Sequence, residues 1–168
     1  NDVVSIGHST TLPEIFYSFN IGAEWRNLGF NALFQGTGRY SAMLDLTSMY
    51  RPLLSSTTLS QYYYENRWTP GNQNALFPRL ASQSSQNNYR NSTWWMRDAS
   101  FLKLRNIEIY YKLPKSLLAK TKIVNNAKIY VRGNDLLCFD HIGQMDPETY
   151  NSTTPTTRNV VIGLTVGF

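Results

Sequence analysis

From Glu14 the chain alternates. Ile15, Tyr17, Phe19, Ile21, Ala23 and Trp25 share one parity, and Phe16, Ser18, Asn20, Gly22, Glu24 and Arg26 share the other. A period of two marks a strand with one apolar face. The stretch RNLG at 26–29 supplies a turn with a glycine. FNALFQGTGRY then alternates again through Phe30, Ala32 and Phe34, with Leu33 out of phase. These two runs predict a hairpin closed by a tight turn.

From about Tyr40 to about Thr93 the alternation dissolves. This stretch is rich in Gln, Asn, Ser and Tyr and carries Pro70, Gly71 and Pro78. Connections this long are uncommon in compact domains and are usually functional, so it is read as one large structured loop. Order returns in WWMRDASFLKLRNIEIYYKLP. Leu102 and Leu104 share one parity, whereas Ile107, Ile109 and Tyr111 share the other. That switch near Arg105 and Asn106 predicts a bulge, or a strand apolar on both sides. Pro114 ends the strand, and PKSLLAKTK predicts a short helical turn with Pro114 near its start. AKIYVRGND sets Ala127, Ile129 and Val131 against Lys128, Tyr130 and Arg132. A second loop, CFDHIGQMDPETYNSTTPTT, leads to a last strand from about Arg158. There Val160, Ile162, Leu164, Val166 and Phe168 oppose Asn159, Val161, Gly163, Thr165 and Gly167.

The pattern therefore predicts an all-β fold of five antiparallel up-and-down strands, each of about ten residues, the length that crosses a bilayer at a tilt. The connections alternate between short (26–29 and 113–126) and long (40–93 and 138–157). Transmembrane barrels have this asymmetry, with turns on one side and long loops on the other. Composition sharpens the picture. Charged residues make up only 16% of the 168-residue chain and aromatics 14%, against a usual charged share of about 25%. Mean hydropathy is nevertheless −0.36, so Asn, Ser, Thr and Gln supply the polarity. This mix suits a β-rich extracytoplasmic protein. The net charge is +5, but the Lys and Arg are scattered, densest at Lys112, Lys115, Lys120 and Lys122, and no nucleic-acid module accompanies them. The single cysteine, Cys138 in LLCF, excludes an internal disulfide and reads as a buried inert thiol. No run of about 18 apolar residues is present, which excludes a membrane helix and leaves a barrel open.

Several stretches carry a family resemblance. RWTPGNQNALFPRL, NSTWWMRDASFLKLRNIEIYYKLPKSLL, AKIYVRGNDLLCFDHIGQMDPE and a closing strand ending in Phe occur in this order. Together they resemble the C-terminal end of the SusC/RagA family of TonB-dependent outer-membrane transporters, over nearly the whole chain. FQG at 34–36 fits as well. The most specific pieces are the run at 98–106, of the form D-x-S-[FY]-L-[KR]-L-[KR]-N, and DPE at 146–148. RGNDLLCF departs slightly, since the family more often has Gln-Asn or Asn-Asn before its Leu. The resemblance implies a slice of a barrel of about 22 strands with a plugged lumen. Residues 1–168 would be its C-terminal part, with plug, TonB box, signal peptide and the remaining strands upstream. It further implies a non-enzymatic importer of oligosaccharide or peptide in the outer membrane of a Gram-negative bacterium. Its partners would be a SusD-like surface lipoprotein acting as a lid and TonB acting through upstream regions. No cofactor is implied. Phe168 resembles the C-terminal signal read by the barrel-assembly machinery, with Val160, Ile162, Leu164 and Val166 toward lipid and Gly163, Thr165 and Gly167 toward the lumen.

Candidate chemistry is otherwise sparse. His8 and His141 have no metal or catalytic spacing around them. Asp140, Asp146 and Glu148 share a loop, where a calcium site is weighed against a solvated acidic loop and the latter preferred; no metal site and no catalytic residue is expected. NST at 91–93 and 151–153 matches the glycosylation sequon by composition alone, and GTGRYS at 36–41 is no phosphate loop. In the large loop, Tyr62, Tyr63, Tyr64 and Trp68 lie among amides and hydroxyls, the surroundings a sugar or peptide ligand needs. They stand as candidates for ligand contact, partner contact or loop packing. Trp94 and Trp95 are assigned first to an interfacial aromatic girdle. Two competing readings remain. A secreted carbohydrate-binding β-sandwich would bury the apolar faces of Ile15–Trp25 and Val160–Phe168 against each other. A glycoside hydrolase would need two carboxylates on neighbouring strand ends, and Glu108, Asp146 and Glu148 offer no such pair.

Overall fold

A computed structural model of the chain describes residues 4–53, 58–81, 87–143, 145–152, 154 and 156–168. Strands β1 (Ile15–Trp25) and β2 (Leu28–Gly38) form the first hairpin. Its turn is Arg26 and Asn27 alone, with Arg26 at φ 56°, the left-handed region that two-residue hairpins use. The large loop holds β3 (Ser41–Met43), α1 (Thr47–Tyr50), α2 (Gln61–Asn66) and β4 (Met96–Asp98). Then come β5 (Phe101–Lys112), α3 (Lys115–Leu118), β6 (Asn126–Asp140) and β7 (Asn159–Gly167). The five long strands make one antiparallel sheet in the order β1-β2-β5-β6-β7, and β3 pairs with β4 separately. The sheet is open. Its edges are β1 and β7, so the apolar faces of those two strands do not pack on each other as a sandwich would require.

Register carries one apolar face across the whole sheet. Ile21 pairs with Ala32, Ala32 with Ile107, Ile107 with Gly133 and Gly133 with Val160. A row nearer the short turns runs Ala23, Phe30, Ile109, Val131 and Ile162. The large side chains toward either edge and the short turns are exposed, Ile21 by 50%, Ile109 by 53% and Ile162 by 76%, while Ala32 is buried between them. Soluble monomers rarely leave so continuous an apolar surface uncovered, whereas the outside of a membrane barrel is built this way. At the short-turn margin the row is Trp25, Leu28 and Tyr111, the place where aromatic residues favour a membrane interface.

The other face is polar. Its middle row links Asn106 to Asn134 at 2.7 Å and Asn134 to Asn159 at 2.6 Å through side-chain amides. Toward the short turns, Glu108 accepts from Lys128 at 2.9 Å and from Arg132, and Glu24 accepts from Tyr110 and Lys112. Tyr130 lies over Gly163, where a Cβ would sit 2.3 Å from its ring. A side chain at 163 would have to displace that ring, and the tyrosine covers the backbone the glycine leaves bare.

The predicted bulge is present. The register of β2 against β5 shifts between Leu33 and Phe34, with Arg105 as the extra residue, and that of β5 against β6 shifts again at the same level. Asp135 takes φ 50° there. Arg105 and Asp135, set out of the ladder by the two irregularities, pair at 2.9 Å.

Although Ala32, Phe101, Leu104 and Ala127 are buried on the strands, the hydrophobic core cluster lies off the sheet. It is the interior of the long loops: Ala42, Leu44, Tyr50, Tyr63, Phe77, Tyr89, Trp95, Ala99 and Tyr150. The large loop is thus a small folded unit, and Tyr150 and Ile142 of the β6–β7 loop pack with it.

Candidate functional site

Two loops rise from the same end of the sheet, and an ionic cluster fixes one of them to the wall. Lys103 sits on the polar face of β5 and is only 1% exposed. Its ammonium donates to both oxygens of Asp146 at 2.6 Å and to Glu148 at 2.6 Å. Arg105, placed by the bulge, donates to Gln35 at 2.8 Å, to Asp135 at 2.9 Å and to Glu148. Thr156 donates to Asp146, and Asp146 in turn accepts the Glu148 backbone N–H at 2.9 Å. Burial pushes both loop carboxyls up, but the bonds from Lys103, Thr156 and Arg105 outweigh it and hold Asp146 and Glu148 below the usual carboxylate range. This corrects the expectation of a solvated acidic loop. Asp146 and Glu148 are bound to strand cations, and Asp140 accepts the backbone N–H groups of Ile142 and Gly143. A lysine on the inward parity of a strand demands such a partner, because a buried charge left alone is costly.

Phe77 centres the large loop. Tyr63 stacks on it at 4.5 Å, Tyr62 meets it edge-on at 5.4 Å, and Tyr50 and Trp95 approach at 6.1 and 6.3 Å. Ser60 caps α2 by accepting the Tyr63 N–H. The Tyr63 hydroxyl donates to the Pro78 carbonyl at 3.3 Å, and the Trp95 indole donates to the Asn88 carbonyl at 2.8 Å. Burial, with a bond to Tyr89, pushes the Tyr63 phenol well above its ordinary value. Burial raises Tyr50 to about 12.

The aromatic residues singled out from sequence therefore divide. Tyr63 and Trp95 are buried in the loop core and Tyr62 is half-buried beside it. Trp95 is in the loop, not on the sheet. Tyr64 is exposed, with the Arg67 guanidinium 3.7 Å from its ring centre. Trp68 and Trp94 are also exposed, by 37% and 52%. They line one open cleft of about 400 Å³ with Ala75 and Phe77 beneath, Arg79 at the side and the amides Gln73, Asn87 and Asn88 around it. The Trp68 N–H donates to the Phe77 carbonyl at 2.9 Å, so the cleft wall is tied to the core. Phe168 lies just beyond β7 and is 81% exposed, and Cys138 is half-buried in β6. The cleft offers flat apolar surfaces beside directional hydrogen-bonding groups. Sequence reading missed Arg79, Asn87 and Asn88. Their signal was weak, because amides fill the whole stretch and only the fold selects these two.

No family model matches the chain. TonB-dependent receptor P26 of Formosa agariphila is 27% identical over 184 residues, covering 100% of this chain and 18% of that protein. TonB-dependent receptor P3 of the same organism is 30% identical over 156 residues, covering 92% and 15%. The chain thus spans less than a fifth of the length of these relatives. Among solved structures, the RagAB peptide importer in its open-open state aligns with a TM-score of 0.67 and 24% identity, over 96% of this chain and 18% of that one. The RagAB peptide transporter aligns with a TM-score of 0.66 and 26% identity, over 90% and 17%. An open five-stranded arc with one lipid-type face is what a slice of such a barrel should be. In sequence and in fold, the chain matches a C-terminal segment of a SusC/RagA-type TonB-dependent receptor.

Proposed function

We propose that this chain forms part of the wall and extracellular rim of a nutrient importer in the outer membrane of a Gram-negative bacterium. The observation that carries the reading is the exposed apolar face across all five strands, joined to the placement of both long loops at one end. The face belongs to lipid and the loops to the outside. The plug and the other strands of the barrel lie on sequence outside residues 1–168. The transporter is no enzyme: it moves an oligosaccharide or peptide inward, powered through TonB, under a surface lipoprotein lid of the SusD type. The RagAB relatives, described as a peptide importer and transporter, support the import reading. In this segment the ionic anchor at Lys103 holds the rim loop in place, and the cleft of Trp68 and Trp94 contacts cargo.

Cell fractionation tests this directly. An antibody raised against the chain should detect a band far heavier than 19.3 kDa in the outer-membrane fraction, shifting in mobility on heating. Deleting the receptor or TonB should abolish growth on its oligosaccharide or peptide substrate. A soluble band near 19.3 kDa would end the importer reading.

A further inference from the structure

Between Glu65 and Asp98 the chain carries Arg67, Arg79, Arg90 and Arg97 and no Asp, Glu or Lys. Protein surfaces ordinarily intersperse the two signs, and the strands of this chain do so. Lys103, Arg105, Lys112, Lys128 and Arg132 each pair with a carboxylate. Among the described residues, none of the four loop arginines does. Arg67 lies over Tyr64, and Arg97 donates to the carbonyls of Trp94 and Met96. Arg79 and Arg90 are exposed. Arg79 is moreover the only charged group lining the tryptophan cleft among the described residues. Within residues 66–97 the fixed charge is thus positive, and Arg79 places part of it at the cleft.

We propose that the cleft binds a glycosyl unit bearing a carboxylate or a sulfate ester, so that the cargo is an anionic oligosaccharide. Trp68 and Trp94 offer indole faces to the apolar side of the ring. Asn87 and Asn88 answer its hydroxyls, and the Arg79 fork receives the anionic group in a paired hydrogen bond. An acidic peptide would feel the same field, but it has no flat ring to set against two exposed indoles. The proposal rests on the import reading and narrows its cargo.

The test is calorimetry on the full-length receptor, purified in detergent with whatever surface partner accompanies it. The probes are trigalacturonate, a sulfated carrageenan tetrasaccharide, their methyl-esterified and desulfated counterparts, and triglutamate. At least one anionic sugar should bind about tenfold more tightly than its neutral counterpart, the size of one charge-assisted contact. The gap should narrow as salt rises. Arg79→Gln should erase that gap, while Trp94→Ala should weaken both forms. Heat-dependent gel mobility confirms that each variant is folded. Equal binding of charged and neutral sugars, tighter binding of triglutamate, no binding by any probe, or an unchanged gap in Arg79→Gln would each overturn the proposal. Binding in detergent needs no TonB, so loss of TonB-dependent uptake with binding intact would refute the import reading and leave the site standing.

Discussion

At the scale of single residues, Lys103 and Lys112 show how burial decides what an ion pair is worth. Both are lysines of β5 bonded to carboxylates at 2.6 Å. The Lys103 side chain is 2% exposed and that of Lys112 is 50% exposed. Removing Lys103 leaves Asp146 and Glu148 without their shared cation, a loss of about 3 kcal/mol for a buried pair broken on one side. Lys112→Ala removes an exposed, solvent-screened pair that contributes little. Hydrogen exchange on the intact receptor should therefore find loop 141–158 deprotected in Lys103→Ala and unchanged in Lys112→Ala. Equal protection in the two variants would remove the anchor from the account. Acid should act on the same anchor. Asp146 and Glu148 are held below their ordinary values of 3.8 and 4.5. Their contribution is complete above those values and is lost as pH falls through the depressed ones. Proteolysis of the 141–158 loop by an acid protease should thus rise steeply below about pH 4 and stay flat between pH 5 and 8. Sequence reading found both halves of this anchor, as FLKLRN and DPE, but not their union. The partners stand 43 residues apart, and no local pattern encodes which cation a loop carboxylate will reach.

At the scale of elements, the strands were legible and the loop was not. Alternation located all five strands, because one face must meet an apolar medium along its length and a slip of one position would reverse every side chain, but it stopped short on β6, which runs on to Asp140 through residues read as the start of a loop. The parity switch at Arg105 disclosed the bulge for the same reason. The large loop has no repeat, since its core is assembled from scattered positions of short segments. Tyr63, Tyr62 and Tyr64 are consecutive, yet the first is buried, the second half-buried and the third exposed; one turn of α2 distributes them. Phe77, which no periodicity singles out, is the hub. Phe77→Ala should cost the loop about 3–5 kcal/mol, the usual effect of emptying a buried aromatic site. Because its ring partners, Tyr50, Tyr62, Tyr63 and Trp95, all belong to the loop, exchange should accelerate in residues 40–53 and 61–81 while β1 and β2 keep their protection. Acceleration throughout the sheet would mean that loop and wall fold as one unit. The cleft of Trp68 and Trp94 depends on this hub, so the same variant should also weaken any ligand bound there.

At the scale of the whole molecule, the inside of this chain is its polar side. The usual arrangement of a soluble domain is inverted: large apolar side chains on the sheet stand exposed, and amides and ion pairs line the opposite face. A bilayer makes sense of the first and a hydrated lumen of the second. Composition alone hinted at this, through a low charge content combined with a hydrophilic mean, but only the register shows that the apolar rows are continuous from β1 to β7. Adjacent positions in β1 provide the decisive contrast. Ile21 lies at the middle of the strand on the apolar face, and Asn20 lies beside it on the polar face, opposite Leu33. Placed on the lipid side, an arginine costs about 2–4 kcal/mol near the bilayer midplane; lumen substitutions carry no such penalty. Ile21→Arg in the full-length receptor should therefore lower the amount of heat-modifiable protein in the outer membrane several-fold, and Asn20→Arg should leave it near the wild-type level. The reverse result would mean that the two faces are exchanged. Equal tolerance of both would mean that neither face meets lipid, and the barrel reading would fall with it.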